Sequence, residues 1–186
     1  MGGAMSVVLI GSTSGSVTLQ EPAVAGTTVL TLPAVTGNVL TDTSPKVGNV
    51  IQVVNATYST QTSTSSSTYS DTGLTASITP SSSSSKILIF VDLNVYKDTN
   101  NTSMGLKLVR NSTDLYTIDT FAAYTNAADA VGVGSVSSNY LDSPATTSST
   151  TYKVQFKSMN NNNGVYINNN GYGAITSTIT LMEIAA

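Results

Sequence analysis

The chain has 186 residues, of which 9% are charged and 40% hydrophobic, with a formal net charge of −3 and no Cys, His or Trp. That excludes a disulfide framework, thiolate or imidazole metal sites and His- or Cys-based nucleophilic catalysis, and its few cations are not clustered as a phosphate-tracking surface needs. Its apolar content also sets it apart from a disordered chain, so solubility rests on Ser, Thr, Asn and Gly. With the β-branched aliphatics these favour strands and turns.

The opening run, Met1 to Gly11, lacks the basic segment and length of a secretory signal and is too short to span a membrane, so no membrane insertion is expected. A strand-and-turn unit follows, written twice. Pro22-Ala23-Val24-Ala25-Gly26 recurs as Pro33-Ala34-Val35-Thr36-Gly37, each copy after an alternating apolar segment containing Val17 and Leu19, then Leu30 and Leu32. Segments so short, punctuated by Gly and Pro, cannot bury enough surface to hold one shape alone. Residues 1–45 are therefore expected to form an extended arm that orders against copies of itself or another protein. Val17, Leu19, Leu30 and Leu32 would pack between chains, and Pro22, Gly26, Pro33 and Gly37 would set the turns. Residues 43–48, with Pro45 inside, read as a hinge.

Residues 46–186 show two-residue apolar periodicity throughout and no convincing helix. Residues 49–57 read as the first strand, and Leu74, Ala76 and Ile78 alternate in the next, which ends at Pro80. Ser81 to Ser85 read as a loop without anchors. From Lys86 to Tyr96, residues Ile87, Ile89, Val91, Leu93 and Val95 share one parity. Leu88 and Phe90 on the other predict burial on both faces at that end. Met104, Leu106 and Leu108 alternate next, and Asn111-Ser112 reads as a turn into Leu115–Ile118. A Gly/Ala/Ser-rich strand is expected over 127–139. Tyr152, Val154 and Phe156 alternate cleanly with Lys153, Gln155 and Lys157, and Val165 to Ile167 form a short strand between Asn-rich loops. In the last strand Glu183 shares the parity of Ile179 and Leu181, which suggests a late bulge or an exit to solvent. Eight to ten short strands with Gly/Asn/Ser turns predict an all-β antiparallel sandwich of jelly-roll type.

Chemistry is sparse. Asp92, Asp98, Asp114 and Asp119 are the acids that convergence would have to supply for glycan cleavage, but isolated Asp residues at turns are the commoner finding, so no catalytic residue is expected. The spaced oxygen ligands of a calcium loop are missing, and no metal or cofactor is expected. Asn55, Asn100, Asn101 and Asn111 begin Asn-x-Ser/Thr triplets, as this composition produces by chance. Tyr124, Asn126, Asn161, Asn162, Tyr166, Asn169 and Tyr172 lie in or beside loops, where Tyr and Asn suit sugar faces and hydroxyls. Ordinary polar turns would look the same.

Certain segments, taken in order, carry a likeness. In the arm they are Gly15-Ser16-Val17-Thr18-Leu19-Gln20, the Pro-Ala-Val-x-Gly repeats and Gly37-Asn38-Val39-Leu40-Thr41. In the domain they are Ile51-Gln52-Val53-Val54, Tyr69-Ser70-Asp71-Thr72-Gly73-Leu74, Tyr140-Leu141-Asp142-Ser143-Pro144, Thr150-Thr151-Tyr152-Lys153 and Ile179-Thr180-Leu181-Met182-Glu183-Ile184. The chain resembles bacteriophage virion structural proteins of the tail-fibre and head-decoration type. The resemblance implies a homotrimer, an N-terminal virion-attachment arm that binds capsid or tail proteins, and a jelly-roll head at the virion surface. A long fibre needs a long repetitive shaft, and here only two short units precede the domain, which puts capsid decoration ahead of a tail fibre gripping a host-surface glycan.

Overall fold

The computed structural model of the chain describes residues 6–10, 13–20, 46–126, 131–159, 163–169 and 175–186. The chain divides into two units, Met1–Val39 and Leu40–Ala186. Every regular element among the described residues is a strand.

In the first unit β1 (Ser6–Ile10) pairs antiparallel with β2 (Ser16–Gln20), Leu9 opposite Val17 and Val7 opposite Leu19. Gly15 enters β2 with φ +77°, which a side chain would resist. The opening apolar run, assigned no structure from sequence, is thus the partner of the expected strand at Val17 and Leu19. Two five-residue strands offer no second layer, and Val8, Leu9 and Ile10 stand exposed. Residues 21–45, including Pro22, Gly26, Leu30, Leu32, Pro33 and Gly37, lie outside the described residues.

The second unit holds β3 (Val50–Tyr58), β4 (Thr62–Thr64), β5 (Ser70–Ile78), β6 (Lys86–Lys97), β7 (Met104–Arg110), β8 (Thr113–Ala122), β9 (Val131–Asp142), β10 (Thr150–Ser158), β11 (Val165–Ile167) and β12 (Ser177–Ile184). One sheet runs β5-β10-β7-β8. The other runs β3-β12-β6-β9, with short β11 and β4 continuing it beside the far end of β6. All pairs are antiparallel. Counting only the eight long strands in chain order, the sheets read 1-8-3-6 and 2-7-4-5, the strand order of a jelly roll.

Period-two alternation explains the packing. Leu74 and Ile78 from β5, Ile87 to Val95 from β6, Leu106 and Leu108 from β7, Tyr152 to Phe156 from β10, and Ile179 and Leu181 from β12 form one buried core between the sheets. The open side is closed by Tyr116 of β8 stacked on Tyr140 of β9, with ring centres 5.5 Å apart. Ala185 accepts a backbone bond from Gly48 N–H and donates one to Asn49 O, tying this segment to the entry of β3.

Three expectations are corrected. The beginning of β6 is not buried on both faces: Leu88 is half-buried and Phe90 exposed, because no layer covers the outer side of this sheet among the described residues. The serine loop is anchored, since the Ser81 backbone N–H and hydroxyl both donate to Glu183 Oε1, at 2.7 and 2.6 Å. Glu183 itself does not exit to solvent. It is fully buried, with Gln52 donating to its Oε2 at 2.6 Å, although the expected bulge is present between Glu183 and Ile184.

Candidate functional site

At the far end of β6 three connections are laced together. Asn101 N–H donates to Thr125 O, Asp98 N–H to Gly164 O, and Asn163 Nδ2 to the Thr102 hydroxyl. Asn101 turns in the left-handed region, as Asn tolerates. The clip between the first two loops is Lys97, fully buried on the core parity of β6. Its ammonium donates to Thr99 O at 2.7 Å and Thr125 O at 3.3 Å, so it is spent inside the fold. Gly164 sits so close to Asp98 that a Cβ there would run into the carboxylate.

This end carries Tyr124 and Tyr166, two of the aromatic side chains expected in or beside loops. Tyr166, on β11, donates its hydroxyl to Asp98 Oδ2 at 2.9 Å. That hydrogen bond first, and burial second, raise its pKa above the ordinary tyrosine value. Its ring meets Tyr96 edge-to-face. Tyr124 donates to Asn101 Oδ1 and packs edge-to-face on Phe121, both rings exposed. Asp98 Oδ1 and Thr125 Oγ1 are buried atoms without a hydrogen-bond partner.

Of the loop residues chosen from sequence, Tyr124 and Tyr166 are joined through the 98–103 connection, and exposed Asn126 follows Thr125. Asn169 follows Asn168, whose side chain bonds Tyr58 O and the Ser177 hydroxyl. Asn161, Asn162 and Tyr172 lie outside the described residues. Sequence reading missed Phe121, because β8 slips register against β7 at three places and alternation no longer reports which face a residue takes. Asn101 was visible only as a sequon.

The four carboxylates do not form a pair. Asp92 accepts from Ser137, Asp98 from Tyr166 and Asp119 from the Phe121 N–H, while Asp114 is bound by Lys107. Among the described residues no three acidic side chains gather as a metal site. In the arm, Val17 and Leu19 are placed on β2.

Fold and site together define a jelly-roll domain with an aromatic, Asn-bearing loop end, preceded by a separate unit containing a β-hairpin. No family model and no curated protein matches the chain. Among solved structures it is similar to the infectious bursal disease virus VP2 subviral particle at 13% identity and a TM-score of 0.40, over 73% of this chain and 37% of that one. It is also similar to structures of the Gt and Gx strains of that virus, each at 12% identity, with TM-scores of 0.44 and 0.45. These cover 97% of this chain and 47% and 46% of theirs. The chain thus spans less than half the length of each.

Proposed function

We propose that the protein is a non-enzymatic component of a bacteriophage virion's exterior, a capsid decoration or cement protein assembled in the host cytoplasm. It binds the particle through residues 1–45, associates as a homotrimer and displays residues 46–186 at the virion surface. The observation that carries this reading is the exposed apolar run Val8-Leu9-Ile10 on a hairpin too small to cover it. Such a run is a liability for a free chain and an asset for one that docks. The apolar segment around Leu30 and Leu32 repeats the pattern in the sequence, and the order of the segments that resemble phage virion proteins supplies the phage context. The test is to label the protein on intact particles and image them. Density over the head is expected, and density confined to the tail overturns decoration.

A second reading is a short tail fibre or receptor-binding protein that recognises a host-surface glycan. The exposed Phe121–Tyr124 pair beside Asn101 and Asn126 favours it, because aromatic faces stack on sugars while amides bond their hydroxyls. Binding of the purified chain to host cells, competed by cell-wall sugar, separates the two.

A further inference from the structure

The two outer faces of the sandwich differ in kind. The β5-β10-β7-β8 face carries Asp71, Lys153, Gln155, Lys107 and Asp114, tied in ion pairs and hydrogen bonds. On the β3-β12-β6-β9 face the outward residues form cross-strand rows. Val53, Met182, Leu88 and Leu141 make one continuous apolar row over all four strands. Asn55, Thr180, Phe90 and Asn139 make the next, then Thr57, Thr178, Asp92 and Ser137. Below the apolar row lies Ile184, flanked by Val50 and Lys86. Val53, Leu141 and Phe90 are 54%, 50% and 42% exposed. Only Lys86 and Asp92 are charged among these outward positions.

Those two charges bracket the apolar residues on one strand, in the order Lys86, Leu88, Phe90, Asp92. Six residue steps separate them, about 20 Å. A second sheet laid antiparallel on this face, about 10 Å away, brings Lys86 over Asp92 and Leu88 over Phe90, and does so twice. The same operation sets β9 over β9. Leu141 of one copy then lies over a dent of about 280 Å³ in the other, lined by Phe90, Asp92, Ser137, Asn139 and Thr178. Opposite charge meets opposite charge, apolar meets apolar, and a projecting side chain meets a hollow. That self-complementarity is what a two-fold interface requires.

We infer that this face is a docking surface for a second copy of the same chain, with the strands of the two copies antiparallel and Lys86 paired to Asp92 across the two-fold. The contact is additional to a trimer joined elsewhere, and trimers that use it become even-numbered assemblies.

The test is the mass of the purified full-length chain in solution, by sedimentation or native mass spectrometry. Expected is an even-numbered species. K86D or D92K alone places like charges together at two positions and weakens association by about tenfold or more, and the K86D/D92K double variant restores it. Both residues are exposed, and circular dichroism checks that each variant is folded. F90S, also outside the core, weakens association without charge. A wild type that is monomeric or strictly trimeric, which includes the case of a different partner covering the face, overturns the inference. So does a mass indifferent to K86D, D92K and F90S. A monomer or a bare dimer would also remove the proposed homotrimer, whereas where the protein sits on a particle is decided by imaging alone and stands or falls separately.

Discussion

The Tyr152 hydroxyl donates to Asp142 Oδ2 at 2.7 Å, joining β10 of one sheet to the end of β9 in the other. Arg110 of β7 binds the same carboxylate through Nη1, at 2.9 and 2.8 Å to its two oxygens. A nearly buried charge is thereby matched by one cation and one phenol, and the two sheets are pinned where β9 leaves the core. R110A leaves the carboxylate without its counter-charge and should cost about 3–5 kcal/mol in denaturant unfolding. Y152F keeps the ion pair and should cost less, about 1.5–3 kcal/mol. Equal losses would show that the cation does not dominate.

The same pair has an alkaline signature. Burial chiefly, and then the bond to Asp142, push the Tyr152 phenol up, well above its ordinary value. A folded-state pKa raised above the unfolded one stabilises fully below about 10, and the gain is lost as pH climbs toward the folded value. Spectroscopic titration should show that Tyr152 among the nine tyrosines withholds its proton until the domain unfolds. Y152F should remove that late step.

Glu183 contributes on the acid side. Burial acts to raise its pKa, but hydrogen bonds from Ser81 and Gln52 outweigh it and leave the carboxyl below its ordinary value. A depressed folded-state pKa contributes stability above the unfolded value of about 4.3, which is lost as pH falls through the folded one. Stability should therefore fall on acidification below about pH 4.3. E183Q, which keeps the shape but not the charge, should flatten that slope and cost about 1–3 kcal/mol at pH 7. An unaltered acid slope in E183Q would remove Glu183 as its source.

How much of this was legible depends on range. The alternation of Tyr152, Val154 and Phe156 and of Ile87 to Val95 fixed which side chains enter the core, because burial on a strand is a local, period-two property. Strand order is not local, and nothing near Lys86 announces that β12, ninety residues on, will be its neighbour. Glu183 read as a late bulge or an exit to solvent; the bulge is there, but its burial was not legible, since its donors are Gln52 and a serine loop about a hundred residues away. Phe90 failed for a simpler reason. An apolar side chain on the second face of a strand reads as buried whether another layer of this chain covers it or only a partner could. At the loop end, Tyr124 and Tyr166 were chosen for their residue type, while Lys97, which holds two of those loops together, was read only as a scattered cation.

The loop end yields a prediction that tells recognition from mere structure. Tyr124 and Phe121 are exposed and hold no core position, so Y124A with F121A should leave thermal unfolding within about 0.5 kcal/mol of wild type. If the glycan reading is right, the same double variant loses cell binding, whereas Y166F, which only frees Asp98 of its donor, lowers stability first. Retained binding in a folded Y124A/F121A chain removes this end as the sugar site.

The arm gives the sharpest division between the two units. Val8 and Ile10 sit exposed on β1, so acids there cost the domain nothing, and Leu30 and Leu32 repeat the apolar pattern further on in the sequence. In an apolar seam on a particle they are costly, because an unpaired carboxylate must be desolvated. I10D and L30D/L32D should each leave the unfolding of residues 46–186 unchanged and release the protein from particles at moderate salt. A chain lacking residues 1–45 should keep the same unfolding midpoint and fail to join particles altogether. Normal occupancy of the truncated chain would move the anchor into the jelly roll, and normal occupancy of L30D/L32D alone would confine it to the hairpin.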